Sequence, residues 1–162
     1  MTGQLLRWLG RHRWFTAAGR RLAPVDRWLL SHVPGRWSAA HRQGLPTLLL
    51  TTTGRRSGQP RTQALLYVRD GDAYVVVGSN WGQRHHPAWS ANLLAQPRAT
   101  VTVRGTARPV RAVLATGAER DRLWPLLTEV WPAFDAYAAR ADGRELRIFR
   151  LTDPATPQDP DN

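Results

Sequence analysis

A short segment of the sequence, TTTGRRSGQPRT at residues 51–62, concentrates side chains that bind anions. Its arginines are Arg55, Arg56 and Arg61, and its hydroxyl groups include those of Ser57 and Thr62. Guanidinium groups are fork-shaped donors that suit phosphate and carboxylate, and a glycine such as Gly58 lets backbone N–H groups approach a ligand. The lysine and the spacing of a Walker phosphate loop are missing. The segment predicts an anion-binding loop between two strands, with a solvated hairpin loop as the alternative.

A second segment, GSNWGQRHHPAWSANL at residues 78–93, joins a predicted buried strand to a predicted helix. The residues that can present backbone donors to a flat heteroaromatic ligand are Gly78, Ser79, Asn80 and Gly82. Arg84, His85 and His86 add positive charge just before a helix N-terminus, which itself favours anions. Neighbouring histidines rarely ligate one ion, and no Cys, Asp or Glu completes a set, so we predict no metal site. Trp89 is either a core residue or a stacking platform.

A third segment, WPAFDAY, places Trp131, Phe134 and Tyr137 three residues apart on one helical face. Such a stripe is either part of the core or an aromatic wall over a flat substrate. Acid–base machinery is sparse, because the chain has three Glu, no obvious carboxylate pair and no G-x-S-x-G motif. If the protein is an enzyme, a cofactor is expected to supply the difficult chemistry.

Composition limits the function classes. The 162 residues suit one domain, and the net charge of +11 implies an anionic partner. Every basic residue among the 23 is arginine and there is no cysteine, which excludes lysine Schiff bases, disulfides and thiolate nucleophiles. No apolar run reaches the roughly 18 residues of a membrane span, and the arginine-rich start lacks an export signal's apolar region. We therefore predict a cytoplasmic protein.

The patterning predicts a mainly β (α+β) fold, a closed or nearly closed barrel of about six mostly antiparallel strands with N-terminal helices and two peripheral helices. The predicted strands cover residues 45–53, 61–69, 73–79, 98–105, 107–116 and 144–152. The two peripheral helices cover residues 86–96 and 116–131. Thr116 and Glu119 have capping-box spacing, and Pro125 is expected to kink or split the second helix. The valine run of the third strand predicts burial on both faces.

Three regions are predicted along the chain. Residues 1–44 form a basic, Trp-rich helical segment, residues 45–152 the barrel domain, and residues 153–162 a flexible tail. A basic helix with Trp and Leu on one face can lie on an anionic membrane. The N-terminal segment is therefore expected either to cover the core or to hold the protein at the inner face of the cell membrane.

Two of these motifs together resemble a known family. T-T-G-R-x-S-G-x-P-R-T and S-N-x-G-x-x-x-H-P-A-W, about 20 residues apart, are similar to the deazaflavin-dependent nitroreductases. These are split β-barrel proteins that use the 8-hydroxy-5-deazaflavin coenzyme F420. The resemblance therefore implies that residues 45–152 form a split β-barrel cofactor-binding domain. The resemblance covers about residues 45–151. It implies an F420-dependent oxidoreductase that transfers a hydride from the reduced deazaflavin to a quinone, nitroaromatic or enone acceptor. For the oligomeric state, both a monomer and a homodimer stay open.

The resemblance also implies roles for matching residues. The phosphate and acidic tail of F420 would contact Arg55, Arg56, Ser57, Gly58, Arg61 and Thr62. Further cofactor contacts would come from Leu65, Leu66, Tyr67, Gly78, Ser79, Asn80, His85, His86, Pro87 and Trp89. The substrate wall would consist of Trp131, Phe134 and Tyr137, with Tyr137 also the catalytic candidate that orients or protonates the acceptor.

Several positions depart from the family pattern. Trp81 stands where glycine is common and would narrow the cofactor channel, and His85 stands where lysine is usual. Two of three tyrosines in the substrate wall are replaced. Two other classes therefore stay open. The same barrel could hold FMN, heme or another flat anion, or the protein could be a non-enzymatic binder of nucleic acid or membrane surfaces.

Overall fold

The structure, a computed structural model, describes residues 44–155, and within them seven strands form one antiparallel sheet. The strands are β1 (Thr47–Thr53), β2 (Pro60–Leu66), β3 (Val68–Asp70), β4 (Ala73–Val77), β5 (Arg98–Val103), β6 (Thr106–Ala115) and β7 (Ile148–Thr152). The helices are α1 (Ala88–Ala95), α2 (Gly117–Val130) and α3 (Ala133–Arg140), with a short 3-10 turn at Asn80–Gly82.

The sheet curls into a half-barrel because a single residue, Tyr67, joins the strands at its two edges. The strand order is β2-β1-β5-β6-β7-β4-β3, so β2 and β3 lie at opposite edges although only Tyr67 separates them in sequence. The two edges must therefore approach each other at this residue. The Tyr67 N–H donates to the Pro46 carbonyl at 3.1 Å, outside the strand ladders. The predicted single strand at residues 61–69 was wrong, because the chain crosses between edges at Tyr67.

Both faces of the sheet carry a hydrophobic core, as the valine run of β4 predicted. Val75 and Val77 belong to a first core, which β3, β4 and β7 form with α2 and α3. Val76 points to the other face and belongs to a second core, which Trp89 and Leu93 of α1 help to close. Val75 and Val76 are fully buried, so the prediction of two-sided burial is confirmed.

Helix α2 begins where the sequence predicted but is held differently. Thr116 is its N-cap residue without a side-chain capping bond, so the predicted capping box does not form. Glu119 instead lies 3.2 Å from the Arg150 guanidinium on β7, an ion pair that outcompetes the local contact. Of the two outcomes predicted for Pro125, the split of the helix was wrong, and the kink stays a prediction. The helix continues through this exposed position to Val130, and the break before α3 comes at residues 131–132.

The mainly β, split-barrel fold class is confirmed, with seven strands in place of six and with α3 as a further helix. Within residues 44–155 no helix is long and apolar enough to cross a membrane. The predicted N-terminal helices fall on residues 1–43 and lie outside the described residues. The three predicted region boundaries stay predictions.

Candidate functional site

The glycine-rich loop between β1 and β2 is a compact turn. The Gly54 N–H donates to the Gln59 carbonyl at 2.8 Å, and the Gly58 N–H donates to the Gly54 carbonyl at 2.7 Å. Gly58 has a φ of +67°, a left-handed conformation that glycine adopts without steric cost. A Cβ atom at Gly54 would lie 2.8 Å from Ser57 Oγ. The loop therefore needs glycine at both positions to keep this shape.

The hydroxyl group of Ser57 organises the polar side chains of this loop. Ser57 Oγ accepts hydrogen bonds from the Gln59 N–H at 3.3 Å and from Arg61 Nη2 at 3.4 Å. A hydroxyl has two acceptor lone pairs and one donor. Both lone pairs are engaged here, so the remaining O–H is left to donate to an anion. Thr62 makes a different contact, because its Oγ1 lies 2.8 Å from Thr51 Oγ1 across the β1–β2 pair.

The three arginines of the loop carry uncompensated charge. Arg55, Arg56 and Arg61 are exposed, and none of them forms an ion pair with a carboxylate of residues 44–155. An exposed guanidinium without an acidic partner keeps its donors for a phosphate or carboxylate ligand. Of the two alternatives for this segment, the geometry favours an anion-binding loop.

A buried asparagine that the sequence analysis missed fastens this loop to α1. Asn92 is 4% exposed, and its Oδ1 accepts from the Arg55 N–H at 3.2 Å and from Arg55 Nη1 at 3.4 Å. Its Nδ2 donates to Thr52 Oγ1 at 3.0 Å, and Thr52 is 1% exposed. These partners lie 37 and 40 residues away in sequence, and only the folded chain brings them together.

The second predicted segment contains an unusual turn. Asn80, Trp81 and Gly82 have φ values of +45°, +56° and +74°, three left-handed residues in succession. The Gly82 N–H donates to the Ser79 carbonyl at 2.9 Å, and the Gln83 N–H donates to the Asn80 carbonyl at 3.0 Å. Left-handed residues other than glycine cost on the order of 1–3 kcal/mol each and are concentrated at functional sites. We call residues 79–83 the left-handed turn.

Arg144, which the sequence analysis also missed, spans this turn from the segment after α3. Its Nε donates to the Gln83 carbonyl at 2.9 Å, and its Nη2 donates to the Ser79 carbonyl at 2.8 Å. Its Nη1 lies 3.1 Å from the Gly78 carbonyl and 3.2 Å from His86 Nδ1. No motif marks this arginine in the sequence, because its partners lie 58 to 66 residues away.

The remaining predicted residues of the second segment differ in exposure. His86 is partly buried, and burial, with the neighbouring charges of Arg147 and Arg144, lowers its pKa below the usual value. His85 is exposed, and its carbonyl accepts from Asn80 Nδ2 at 2.9 Å. Trp89 is 7% exposed and its ring centroid lies 5.8 Å from that of Phe149. The structure therefore favours the core alternative for Trp89.

Helix α1 and helix α3 connect the predicted segments. Asn92 of α1 holds the glycine-rich loop. Pro87, just ahead of α1, packs against Gly78, where an added Cβ atom would lie 3.4 Å from Pro87 Cγ. On the other side, the Trp81 ring centroid lies 6.0 Å from that of Tyr137 on α3. Trp81 is partly buried against the first core.

The residues around the end of β2 are partly buried. Leu65 and Tyr67 pack against the second core, and Leu66 packs against the first core. The Tyr67 ring meets the ring of Tyr74 edge-on at 5.4 Å. Their predicted contact with the cofactor stays a prediction.

The aromatic stripe lies within the first core. Trp131, Phe134 and Tyr137 are 6%, 5% and 2% exposed, and Trp131 Nε1 donates to the Tyr137 hydroxyl at 3.4 Å. Burial raises the pKa of Tyr137 above its usual value. The structure therefore favours the core alternative for this stripe. An open wall with Tyr137 facing an acceptor is not supported, because the ring is enclosed by packed side chains.

Charge is strongly segregated over residues 44–155. No Asp or Glu occurs in residues 44–69 or 73–118, which include β1, β2, β5 and β6. The arginines of these four strands and their connections are Arg55, Arg56, Arg61, Arg98, Arg104, Arg108 and Arg111. The described carboxylates lie instead at the end of β3, in the β3–β4 turn, on α2 and α3, and in the segments that follow α3 and β7. The half of the sheet that carries the glycine-rich loop is thus positive throughout and attracts anions.

Comparison with known proteins identifies the family of this chain. Residues 17–153 match the family described as F420H(2)-dependent quinone reductase. The chain belongs to this family. The family resemblance predicted from the two motifs is therefore confirmed. The predictions of an oxidoreductase and of coenzyme F420 as its cofactor are confirmed with it.

Two relatives and one solved structure support the assignment. The putative F420H(2)-dependent quinone reductase Rv3178 of Mycobacterium tuberculosis is 40% identical over 101 residues, which are 62% of this chain and 85% of that protein. The F420H(2)-dependent quinone reductase Rv1261c of the same organism is 36% identical over 128 residues, which are 76% of this chain and 80% of that protein. An F420-H2 dependent reductase of known structure, FDR-A, has a TM-score of 0.60 and 33% identity over 65% of this chain and 93% of that one.

The described residues of this family member fit a cofactor with an anionic tail. F420 carries a phosphodiester and a chain of glutamates, and the glycine-rich loop offers the Ser57 O–H and guanidinium groups that no described carboxylate neutralises. Hydrogen bonds of Asn92 join the loop to α1 and hold it in position. In residues 44–155 no group of three His, Cys, Asp or Glu side chains is placed to hold a metal ion.

Proposed function

We propose that this protein transfers a hydride from reduced F420 to a quinone, with the cofactor tail on the glycine-rich loop and the cofactor ring beside the left-handed turn. The hydride comes from the bound deazaflavin. The observation that carries the proposal is the set of three arginines that no described carboxylate neutralises, in a loop that Asn92 joins to α1 through Arg55. Nitroaromatic and enone acceptors are further candidates for the same site.

The protein's own residues bind and orient in this proposal. Arg55, Arg56 and Arg61 supply charge-assisted hydrogen bonds to the tail, and Ser57 adds its free O–H. The left-handed turn supplies a rigid edge near the ring, which keeps the reacting atoms in a fixed geometry. Solvent, rather than Tyr137, is expected to protonate the acceptor, because the Tyr137 hydroxyl is buried against Trp131.

A titration of the purified protein with oxidised F420, with FMN in parallel, tests the cofactor assignment. We expect tight F420 binding, followed by fluorescence, and binding of FMN at least tenfold weaker, because FMN has one phosphate and no glutamate tail to meet the three arginines. Reduced F420 should then be oxidised by menadione. Preference for FMN would keep the barrel and overturn the cofactor assignment.

We also propose a membrane contact, because the half-sheet without carboxylates adds to the basic charge of residues 1–44. A quinone acceptor is apolar, and a positively charged enzyme would meet it at an anionic bilayer. Flotation with anionic and with neutral liposomes, for the full chain and for a chain that starts at Leu45, tests this. Anionic liposomes should retain the full chain more strongly than the shortened one. Equal soluble fractions in all four samples would contradict the proposal.

A further inference from the structure

The left-handed turn requires an external support. Three successive left-handed residues include Trp81, a bulky side chain for which a φ of +56° is a true outlier. Two backbone hydrogen bonds inside the turn do not remove this steric cost. Gly82 allows the turn to pack closely on α3, because a Cβ atom at this position would lie 2.8 Å from the Tyr137 carbonyl oxygen.

Arg144 is placed to supply that support. Its guanidinium group contacts the carbonyls of Gly78, Ser79 and Gln83, which lie on both sides of the strained residues. These contacts use donors on all three guanidinium nitrogens. A planar fork with five N–H groups can bridge several acceptors at once, whereas a lysine ammonium is a point charge with three donors.

The same guanidinium group determines which nitrogen of His86 carries a proton. Arg144 Nη1 is only a donor and lies 3.2 Å from His86 Nδ1, so Nδ1 must accept. A neutral histidine that accepts at Nδ1 carries its proton on Nε2. The charged groups that face His86 are Arg144 and Arg147, while the nearby Arg84 is paired with Asp142 at 2.9 Å.

We propose that Arg144 is a positioning residue of the F420 site, which holds the left-handed turn in its ligand-ready shape and fixes His86 as a neutral Nε2–H donor. This inference rests on the proposed function for its ligand, but its structural part does not need F420. Arg144 acts through the turn and through His86, and it touches no reacting atom itself.

A consequence for pH follows from His86. Its folded-state pKa lies below the usual 6.5, so the neutral ring stabilises the folded state above pH 6.5. This contribution is lost as the pH falls through the folded-state pKa, because a proton on Nδ1 would point at the Arg144 guanidinium. The backbone signals of the left-handed turn should therefore shift in acid together with the His86 titration.

The first test is NMR of the protein without cofactor, with ¹⁵N-labelled histidine. The wild type should show His86 as a single Nε2–H tautomer at pH 7.5. Arg144→Gln should give mixed tautomers and a raised His86 pKa, together with shifted amide signals at residues 79–83. Arg147→Gln, the matched control, removes a neighbouring cation and should also raise the His86 pKa but keep the tautomer. Mixed tautomers in the wild type would overturn the proposal without any variant.

The second test separates geometry from charge. Arg144→Lys keeps the positive charge but offers three donors on one nitrogen, whereas Arg144 contacts four acceptors from three nitrogens. F420 affinity should therefore fall at least tenfold in Arg144→Lys and in Arg144→Gln alike. If Arg144→Lys keeps both the wild-type affinity and the wild-type turn signals, Arg144 acts only as a charge and the proposal is wrong. If the wild type itself does not bind F420, the proposed function fails, while the NMR result still decides the role of Arg144.

Discussion

Reversal of the charge of Arg61 is expected to weaken F420 binding about a hundredfold. Arg61 is exposed, has no carboxylate partner among residues 44–155, and is held in place by Ser57 Oγ at 3.4 Å. Arg61→Glu removes a charge-assisted hydrogen bond of roughly 1.5–3 kcal/mol and adds repulsion of the anionic tail. A total near 3 kcal/mol corresponds to about two orders of magnitude in Kd. Fluorescence titration with oxidised F420 at low and high salt measures the effect.

The control for this change is Arg104→Glu in the β5–β6 turn. Arg104 is also exposed and without an ion pair in the described part of the chain, and the substitution changes the net charge equally. Because β5 runs antiparallel to β1, this turn lies at the opposite end of the sheet from the glycine-rich loop. The F420 affinity of Arg104→Glu should stay within about threefold of wild type. Such a small loss would come from long-range electrostatics, which salt screens. Equal weakening by both changes would mean that total charge attracts the cofactor and that the loop is not its site.

The strands were predictable because alternation and β-branched residues act locally. The valine run of β4 even indicated correctly that both faces are buried, as Val75 and Val76 show. The break at Tyr67 was not predictable, because residues 61–69 contain no local signal that the chain passes from one edge of the sheet to the other. That crossing depends on the closure of the whole half-barrel.

The candidate site also contains residues that the sequence predicted and residues that it did not. The glycine-rich loop shows its chemistry in sequence, since glycines, arginines and hydroxyl groups lie within twelve residues of one another. Asn92 and Arg144 were missed because each works through partners far away in the chain. Spacing also could not decide between a core stripe and a substrate wall for Trp131 and Tyr137, because both readings place them on one helical face.

Gly82 shows how closely the site depends on packing between distant segments. Gly82→Ala is expected to lower the free energy of unfolding by about 3 kcal/mol or more. A side chain at a φ of +74° is strained, and its Cβ atom would lie 2.8 Å from the Tyr137 carbonyl oxygen and 3.0 Å from Tyr137 Cα. These are backbone atoms of α3, so they cannot rotate away as a side chain could. Urea unfolding of the variant and the wild type gives the difference.

Gly105→Ala isolates the contribution of the backbone conformation alone. Gly105 has a φ of +83° in the β5–β6 turn, and a Cβ atom there would meet nothing within 4 Å. Its cost should be about 1 kcal/mol. The excess loss in Gly82→Ala then measures the contact with α3, and F420 affinity of the folded protein should fall in Gly82→Ala only. Equal losses of stability in the two variants would show that the turn has room to move away from α3, in which case α3 does not set the geometry of the site.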